Sequence, residues 1–420
     1  MERLDGARRA IQAFGVRGMF KTPTVNPTVR AHSCRRWLRP GIGGGMALTL
    51  TLILAASIMN ARRSSATTPL SVLPANGRWV PTSLRADTTA LLTLPGQPAI
   101  LLAATTSGVW RSTNAGANWQ PDGSGMQGRA VFVLAGGANH AAVWAGGFDG
   151  TVYMRDASGG RVNWRRISPV LLTDPSLGPV PVYSLAVLPL ENHSILAGGM
   201  GAISRGEPTG AGGAWRWRRI WQWQGGANPG SGNPPGCFGQ CSGSGSSAGA
   251  TSGGGAVTSL LVAPWDRHLI LASLFQTSPP VLVSHDGQSW ASYAANLPPS
   301  LPVQDLAAGN SRARQVFLTT MGGGVWQREA GGPWQDISTG LPQRHAMPLV
   351  AVGAPPAGVL YAGTMASGVY EKVGNRPWRP LGRGLTGSAA TVVGLAETSG
   401  ARPGLLAATT SGVFRYMPEG

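Results

Sequence analysis

A chain of 420 residues with 34 Lys or Arg against 17 Asp or Glu carries a formal charge of +17, an excess that first raises nucleic-acid binding. Residues 1–63 hold eleven basic and two acidic side chains and residues 64–420 hold 23 and 15, so half of the excess sits in a short N-terminal segment. All basic residues except Lys21 and Lys372 are arginine, and no helical reader, aromatic RNA-binding motif or zinc cluster accompanies them, which excludes a nucleic-acid reader.

Residues 1–41 read as a basic, disordered cytoplasmic segment. Ile42 to Asn60 is a nineteen-residue run without a charge, IGGGMALTLTLILAASIMN, long enough to cross a bilayer as a helix. Nine Lys or Arg residues precede it, and Arg62 and Arg63 follow. The positive-inside rule then places the N-terminus in the cytoplasm, with the chain beyond a 61–77 linker outside it and anchored to the cell membrane. A cleaved signal peptide is the competing reading, since Ala61 and Ala66 follow the apolar core. On either reading the remainder is exported.

From Leu91 to the C-terminus a phrase of about fifty residues recurs seven times, each copy made of three short apolar runs and a tryptophan strand. The innermost runs begin at Leu91, Val131, Tyr183, Thr258, Val303, Leu349 and Val392. Second runs end in small residues, as in ILLAATT from Ile100 and AVWAGGF from Ala142, and third runs follow a turn, as in GVWRS at Gly108 and GVYEK at Gly368. Such a pattern predicts an all-β, seven-bladed β-propeller over residues 78–420. Six tryptophans, Trp119, Trp164, Trp217, Trp290, Trp334 and Trp378, mark the fourth strands, one fewer than the blades. The segment around Trp79 has the same form, so it is expected to supply the outer strand of the last blade and close the ring.

Residues 224–255 form a Gly- and Ser-rich insertion between two repeats, expected to be disordered. Cys237 and Cys241 lie within it, either bonded as a small exported loop or as two free thiols, and without a nearby histidine they make no metal site. Just ahead of it, Trp215-Arg216-Trp217-Arg218-Arg219-Ile220-Trp221-Gln222-Trp223 alternates so that the four tryptophans are expected on one strand face, with Arg216 and Arg218 on the other. Trp215, Arg216, Arg218, Trp221 and Trp223 are the candidate binding residues, because tryptophan with arginine is the composition of interface hot spots. The alternative is that these indoles pack between blades as in every other repeat.

Ser112-Thr113-Asn114-Ala115-Gly116-Ala117-Asn118-Trp119 resembles the sialidase-type repeat known as the Asp-box, S-x-D-x-G-x-x-W, with Asn114 for Asp; Ser284-His285-Asp286-Gly287-Gln288-Ser289-Trp290 is a shortened relative. In such a hairpin a short polar side chain caps the turn and the tryptophan packs between blades, a structural role for Ser112, Asn114, Gly116, Trp119, Ser284, Asp286 and Trp290. Sialidases would need an arginine triad and a tyrosine nucleophile, and their Phe-Arg-Ile-Pro element is absent here. Asp87, Asp174 and Asp305, beside innermost strands, are the carboxylates that a glycoside hydrolase of the Asp-box propeller type could use.

Gly363-Thr364-Met365-Ala366-Ser367-Gly368-Val369-Tyr370 and Thr105-Thr106-Ser107-Gly108-Val109-Trp110-Arg111-Ser112 are similar to the blade phrase of the photosystem II stability and assembly factor family. That resemblance covers residues 78–420 and consists of repeat consensus. It implies a noncatalytic binding or assembly module without a cofactor, whose partner is a protein or a cell-envelope glycan.

Overall fold

The structure, a computed structural model, describes residues 73–420 apart from 95–99, 137–141, 158–160, 175–177, 190–193, 211–212, 224–254, 276, 300, 310, 343, 345, 353–357, 399–403 and 420. The apolar run 42–60 with its flanking segments, Cys34, Cys237 and Cys241 lie outside the described residues. Among the described residues no helix is long and apolar enough to cross a membrane.

The chain enters through β1 (Arg78–Pro81) and then builds one antiparallel sheet after another. Blade 1 is β2 (Thr88–Leu94), β3 (Ile100–Thr105), β4 (Gly108–Ser112) and β5 (Gln120–Pro121); blade 2 is β6 (Val131–Gly136), β7 (Val143–Gly147), β8 (Val152–Asp156) and β9 (Asn163–Arg166). A small ribbon of β10 (Thr173–Asp174) and β11 (Gly178–Pro179) leads to blade 3: β12 (Ser184–Val187), β13 (Ile195–Gly199), β14 (Ala202–Pro208) and β15 (Trp215–Gln222). Blade 4 is β16 (Val257–Val262), β17 (Ile270–Leu274), β18 (Val281–Ser284) and β19 (Ala291–Ser292); blade 5 is β20 (Val303–Ala308), β21 (Val316–Thr320), β22 (Val325–Arg328) and β23 (Gln335–Asp336). Blade 6 is β24 (Ala346–Val352), β25 (Val359–Thr364), β26 (Val369–Val373) and β27 (Arg379–Pro380). Blade 7 takes three strands from the C-terminal end, β28 (Val392–Thr398), β29 (Gly404–Thr409) and β30 (Gly412–Met417), and its fourth from β1. Trp79 stands opposite Tyr416 and Pro81 opposite Phe414, so the expected closing strand is present.

The seven innermost strands neighbour one another in sequence order, and β28 returns to β2. Second strands are buried from end to end in β7, β13, β17, β21 and β25, which is why they read as small and aliphatic residues. A methyl group on Gly146 would lie 2.6 Å from Val133 Cγ1 and 2.8 Å from Val182 Cβ, so blade 3 sits on β7 too closely for any side chain there. Innermost strands carry a one-residue register slip near their start, at Thr89, Phe132, Thr258, Gln304 and Val393, and between Ala346 and Leu349 in β24. An extra residue there re-aims a side chain at the next blade. Thr89 Oγ1 donates to the Val131 carbonyl at 2.8 Å, Thr258 Oγ1 to the Val303 carbonyl at 2.9 Å, and the Phe132 ring meets Tyr183 edge-on at 5.2 Å.

A second link joins the blades near their outer edge. Trp164 donates its indole N–H to the Asp122 carbonyl at 3.0 Å, Trp217 to Ile167 at 2.9 Å, Trp334 to Tyr293 at 2.9 Å, Trp378 to Ile337 at 2.7 Å and Trp79 to Leu381 at 2.8 Å. Each acceptor lies three residues beyond the tryptophan of the preceding blade, so one spacing repeats around the ring. The two tryptophans of the polar hairpins depart from it: Trp119 bonds its own Gly116 carbonyl at 2.9 Å, and the Trp290 indole has no acceptor among the described residues. Between blades 1 and 2 the link is reinforced by a buried ion pair, Arg155 Nε to Asp122 Oδ2 at 2.7 Å and Nη2 to Oδ1 at 3.0 Å.

Ahead of β1, Leu73 is buried, its N–H donating to Tyr361 Oη at 3.4 Å, and the Gly77 N–H donates to Tyr416 Oη at 2.8 Å. Trp79→Ala is therefore expected to cost about 3–5 kcal/mol in urea unfolding, from lost burial and the lost indole bond, and Trp79→Phe about 1–3 kcal/mol. Removing residues 64–72 should leave the transition midpoint in place. Removing 64–84 should abolish the cooperative transition, and a deletion through Leu84 that melts at the parent midpoint would disprove closure by β1.

Candidate functional site

Antiparallel four-stranded blades put two kinds of connection on each end of the ring. Turns between second and third strands share one end with the links from one blade to the next; the hairpins between third and fourth strands lie at the other. Asp87, Asp174 and Asp305 all belong to the first end or to the strands that start there. Asp87, half-buried in the link into β2, has its carboxyl pushed above the ordinary range by burial. Asp305 is fully buried on β20, where Oδ1 accepts from Ser259 Oγ at 3.0 Å and from the Leu306 N–H at 2.9 Å. That carboxylate ties blade 5 to blade 4 and to its own backbone. Asp174 is in the small ribbon, opposite Gly178.

Tyrosine chemistry finds no support at the same end. Tyr153 donates to Asp149 Oδ2 at 2.7 Å and accepts from Arg129 Nη1 at 3.2 Å, a constellation the sequence reading did not pick out. Burial raises the Tyr153 phenol above its usual value, and it does the same for Tyr361, Tyr370 and Tyr416. A nucleophilic phenolate needs the opposite shift. Among the described residues no group of three or more His, Cys, Asp or Glu side chains is placed to hold a metal ion.

At the other end the two polar hairpins are built alike. Ser112 Oγ donates to Asn114 Oδ1 at 2.9 Å and accepts the Gly116 N–H at 3.0 Å, while Asn114 Oδ1 accepts the Asn118 N–H at 2.9 Å. In the shortened version Asp286 Oδ1 accepts from Ser284 Oγ at 3.0 Å and from the N–H groups of Gln288 and Ser289, both at 2.7 Å. Burial works against the ionised form of Asp286, but these donors together outweigh it and hold the carboxyl down at about 2. Asn114 needs no charge to do the same work. Every polar atom named here serves its own turn.

The strand β15 differs from all other outer strands. It has eight residues where the others have two or four. Residues directly opposite in an antiparallel pair point to the same face. Trp215 faces Pro208 and Trp217 faces Gly206, but Ile220 is an extra residue between the pairs Arg219 with Ser204 and Trp221 with Ile203. One extra residue turns everything beyond it to the other face, so the expectation of four tryptophans on one face is corrected. Trp215 and Trp217 stack on the blade 2 side, ring centres 6.2 Å apart, with Trp217 lying flat on Gly206, where a methyl group would come within 2.5 Å of the indole. Trp221 shares the face of Arg216 and Arg218, packs against the apolar cluster between blades 3 and 4, and has Trp223 beside it at 6.5 Å.

All four indoles are half-buried, and the arginines make the exposed surface of this edge. The Arg216 side chain is 71% exposed and Arg218 43%, and Arg219 is also exposed. Arg219 donates to Gln222 Oε1 at 3.2 Å, and Glu207 takes Arg205 at 2.9 Å, Arg216 at 3.1 Å and Arg218 at 3.9 Å. The Arg216 hydrogen bond, with the other two guanidiniums, holds Glu207 below the usual carboxylate range.

No family model and no curated protein matches the chain. Among solved structures, an ancestral GH74 enzyme superposes with a TM-score of 0.52 at 15% identity, over 85% of this chain and 46% of its own. Raptor of Chaetomium thermophilum superposes at 0.52 and 12% identity, over 82% of this chain and 30% of its own. The chain spans less than half the length of either. Likeness at that identity shows the propeller fold alone.

The Asp286 geometry predicts a pH signature. A carboxyl depressed in the folded state adds stability above its unfolded value near 3.8, and that contribution is lost as pH falls toward about 2. Discounted for solvent screening at an exposed turn, Asp286→Asn should cost on the order of 1 kcal/mol at pH 6 and little at pH 2. Denaturant titrations at the two pH values measure the difference, and an equal cost at both would refute the charge-based account.

Proposed function

We propose that this chain is a membrane-anchored, extracytoplasmic propeller that acts as a noncatalytic binding or assembly module for a protein or a cell-envelope glycan. The observation that carries the reading is β15, an outer strand of eight residues with exposed arginines and half-buried indoles where the other blades end in two or four residues. Arginine and tryptophan in that arrangement are what partner-binding surfaces use. The repeat phrase shared with photosystem II stability and assembly factors agrees with a binding role, and the Asp-box resemblance of the two polar hairpins agrees with a scaffold role for them. The anchor rests on the nine-to-two distribution of basic residues around Ile42 to Asn60.

A glycosidase needs two carboxyls about 5–10 Å apart, one of them free to give or take a proton. Asp305, buried and bonded to Ser259 and the Leu306 N–H, serves the seam between blades 4 and 5 instead. The purified full-length chain is expected to leave sialyl, xyloglucan and aryl-glycoside substrates intact, and Trp215→Ala with Arg216→Ala is expected to reduce capture of its envelope partner at least about tenfold. Turnover that disappears in Asp87→Asn or Asp305→Asn would replace this reading with the hydrolase. A reporter active only outside the cytoplasm, fused after Gly420, should be active and remain with the membrane; activity from a cytoplasmic reporter alone would reverse the topology.

A further inference from the structure

Outer strands of a propeller are sheet edges, each with one row of backbone N–H and C=O groups facing away from its partner. Proteins blunt such edges with shortness, proline or charge. Here β5, β19, β23 and β27 have two residues each, and Pro81, Pro121 and Pro380 sit in β1, β5 and β27. None of that applies to β15. Its eight residues lack proline and span about 27 Å of edge, enough to pair with a segment of six to eight residues. What guards it is charge: Arg216 and Arg218 on one face, paired to Glu207, and Arg219 on the other, hydrogen-bonded to Gln222.

We propose that the β15 edge is a strand-addition site for an extended acidic segment of a partner protein, a proposal that rests on the binding-module reading and names its chemistry. Backbone pairing would supply most of the affinity and alternate side chains the selectivity. On a two-residue period the partner's carboxylates would meet Arg216 and Arg218 on one face of the sheet, while its small or β-branched residues would lie along the stacked Trp215 and Trp217 on the other. The same arginines oppose a second copy of this chain, since an antiparallel β15 pair would set like charges side by side.

The test is fluorescence anisotropy of the full-length chain with a labelled eight-residue peptide of alternating Thr and Glu. Three comparisons accompany it: the Thr and Lys equivalent, the acidic peptide with alternate amides N-methylated, and the R216E/R218E/R219E variant, with its fold checked by near-UV circular dichroism. Expected are saturable binding of the acidic peptide, binding at least about tenfold weaker for each of the three comparisons, and weakening in high salt. Equal binding of the N-methylated peptide would show charge attraction without strand pairing and overturn the proposal, as would binding indifferent to the triple variant. Binding of anionic lipid vesicles but not of the peptide would assign the arginines to a membrane surface instead. Peptide binding seen only when residues 225–254 are removed would assign the edge to that segment of the chain itself. If the triple variant loses its envelope partner although the full-length chain ignores the acidic peptide, the binding-module reading stands and the acidic-strand chemistry falls.

Discussion

A closed ring of seven sheets needs one pairing between the two ends of its chain, and β1 on β30 is that pairing. Without it blade 7 would have three strands, and the contacts of Leu73, Gly77 and Trp79 with Tyr361, Tyr416 and Leu381 would be lost together. These residues are more than 280 positions apart, so the contacts join the two ends of the propeller directly. Closure entropy grows slowly with loop length, so four residue pairs backed by a buried indole suffice to hold the ends. Two devices recur around the rest of the ring, a re-aimed residue near the start of the innermost strand and, at five tryptophans, an indole on the preceding blade's carbonyl.

Much of this was legible in the sequence because repetition magnifies a weak signal. Strands of five residues are hard to place singly, but seven copies of one phrase fix their order, and six tryptophans for seven blades point to Trp79. The acceptor three residues past each tryptophan was not legible. An acceptor carbonyl belongs to no residue type, and Asp122, Ile167, Tyr293, Ile337 and Leu381 share nothing but position. The Asp122–Arg155 pair was invisible for another reason: 33 residues and a blade boundary separate its partners. The polar hairpins were legible because their hydrogen bonds are local, between a side chain and backbone two to four residues away.

At β15 the alternation read from the sequence implied the wrong geometry. Strict alternation over Trp215 to Trp223 puts four indoles on one face only if the strand keeps its period. Ile220 breaks it. No residue in the run announces a bulge, since Arg219-Ile220-Trp221 is good strand sequence, and the cause lies in what the two halves must touch. Trp217 has to reach the Ile167 carbonyl of blade 2, whereas Trp221 has to fill the cluster against blade 4.

The bulge also bears on one of the two breaks in the indole pattern, the one at Trp290. Counting three residues past Trp217 reaches Ile220, the residue that the bulge removes from the ladder, and the tryptophan that would use its carbonyl is Trp290, whose indole has no described acceptor. Blade 3 thus gives up one hydrogen bond to blade 4 and gains apolar contact in its place, with Trp221 and Ile220 packed on the cluster that contains Trp290, Leu188 and Ile203. Arg218 adds a reach across the same seam, donating to Gln288 at 3.4 Å. A net hydrogen bond and a partly buried indole are of similar size, about 1–2 kcal/mol each, so the exchange leaves the ring closed at little cost while lengthening one edge. The long strand, the divided tryptophans and the orphaned indole are then one structural event, centred on a single extra residue.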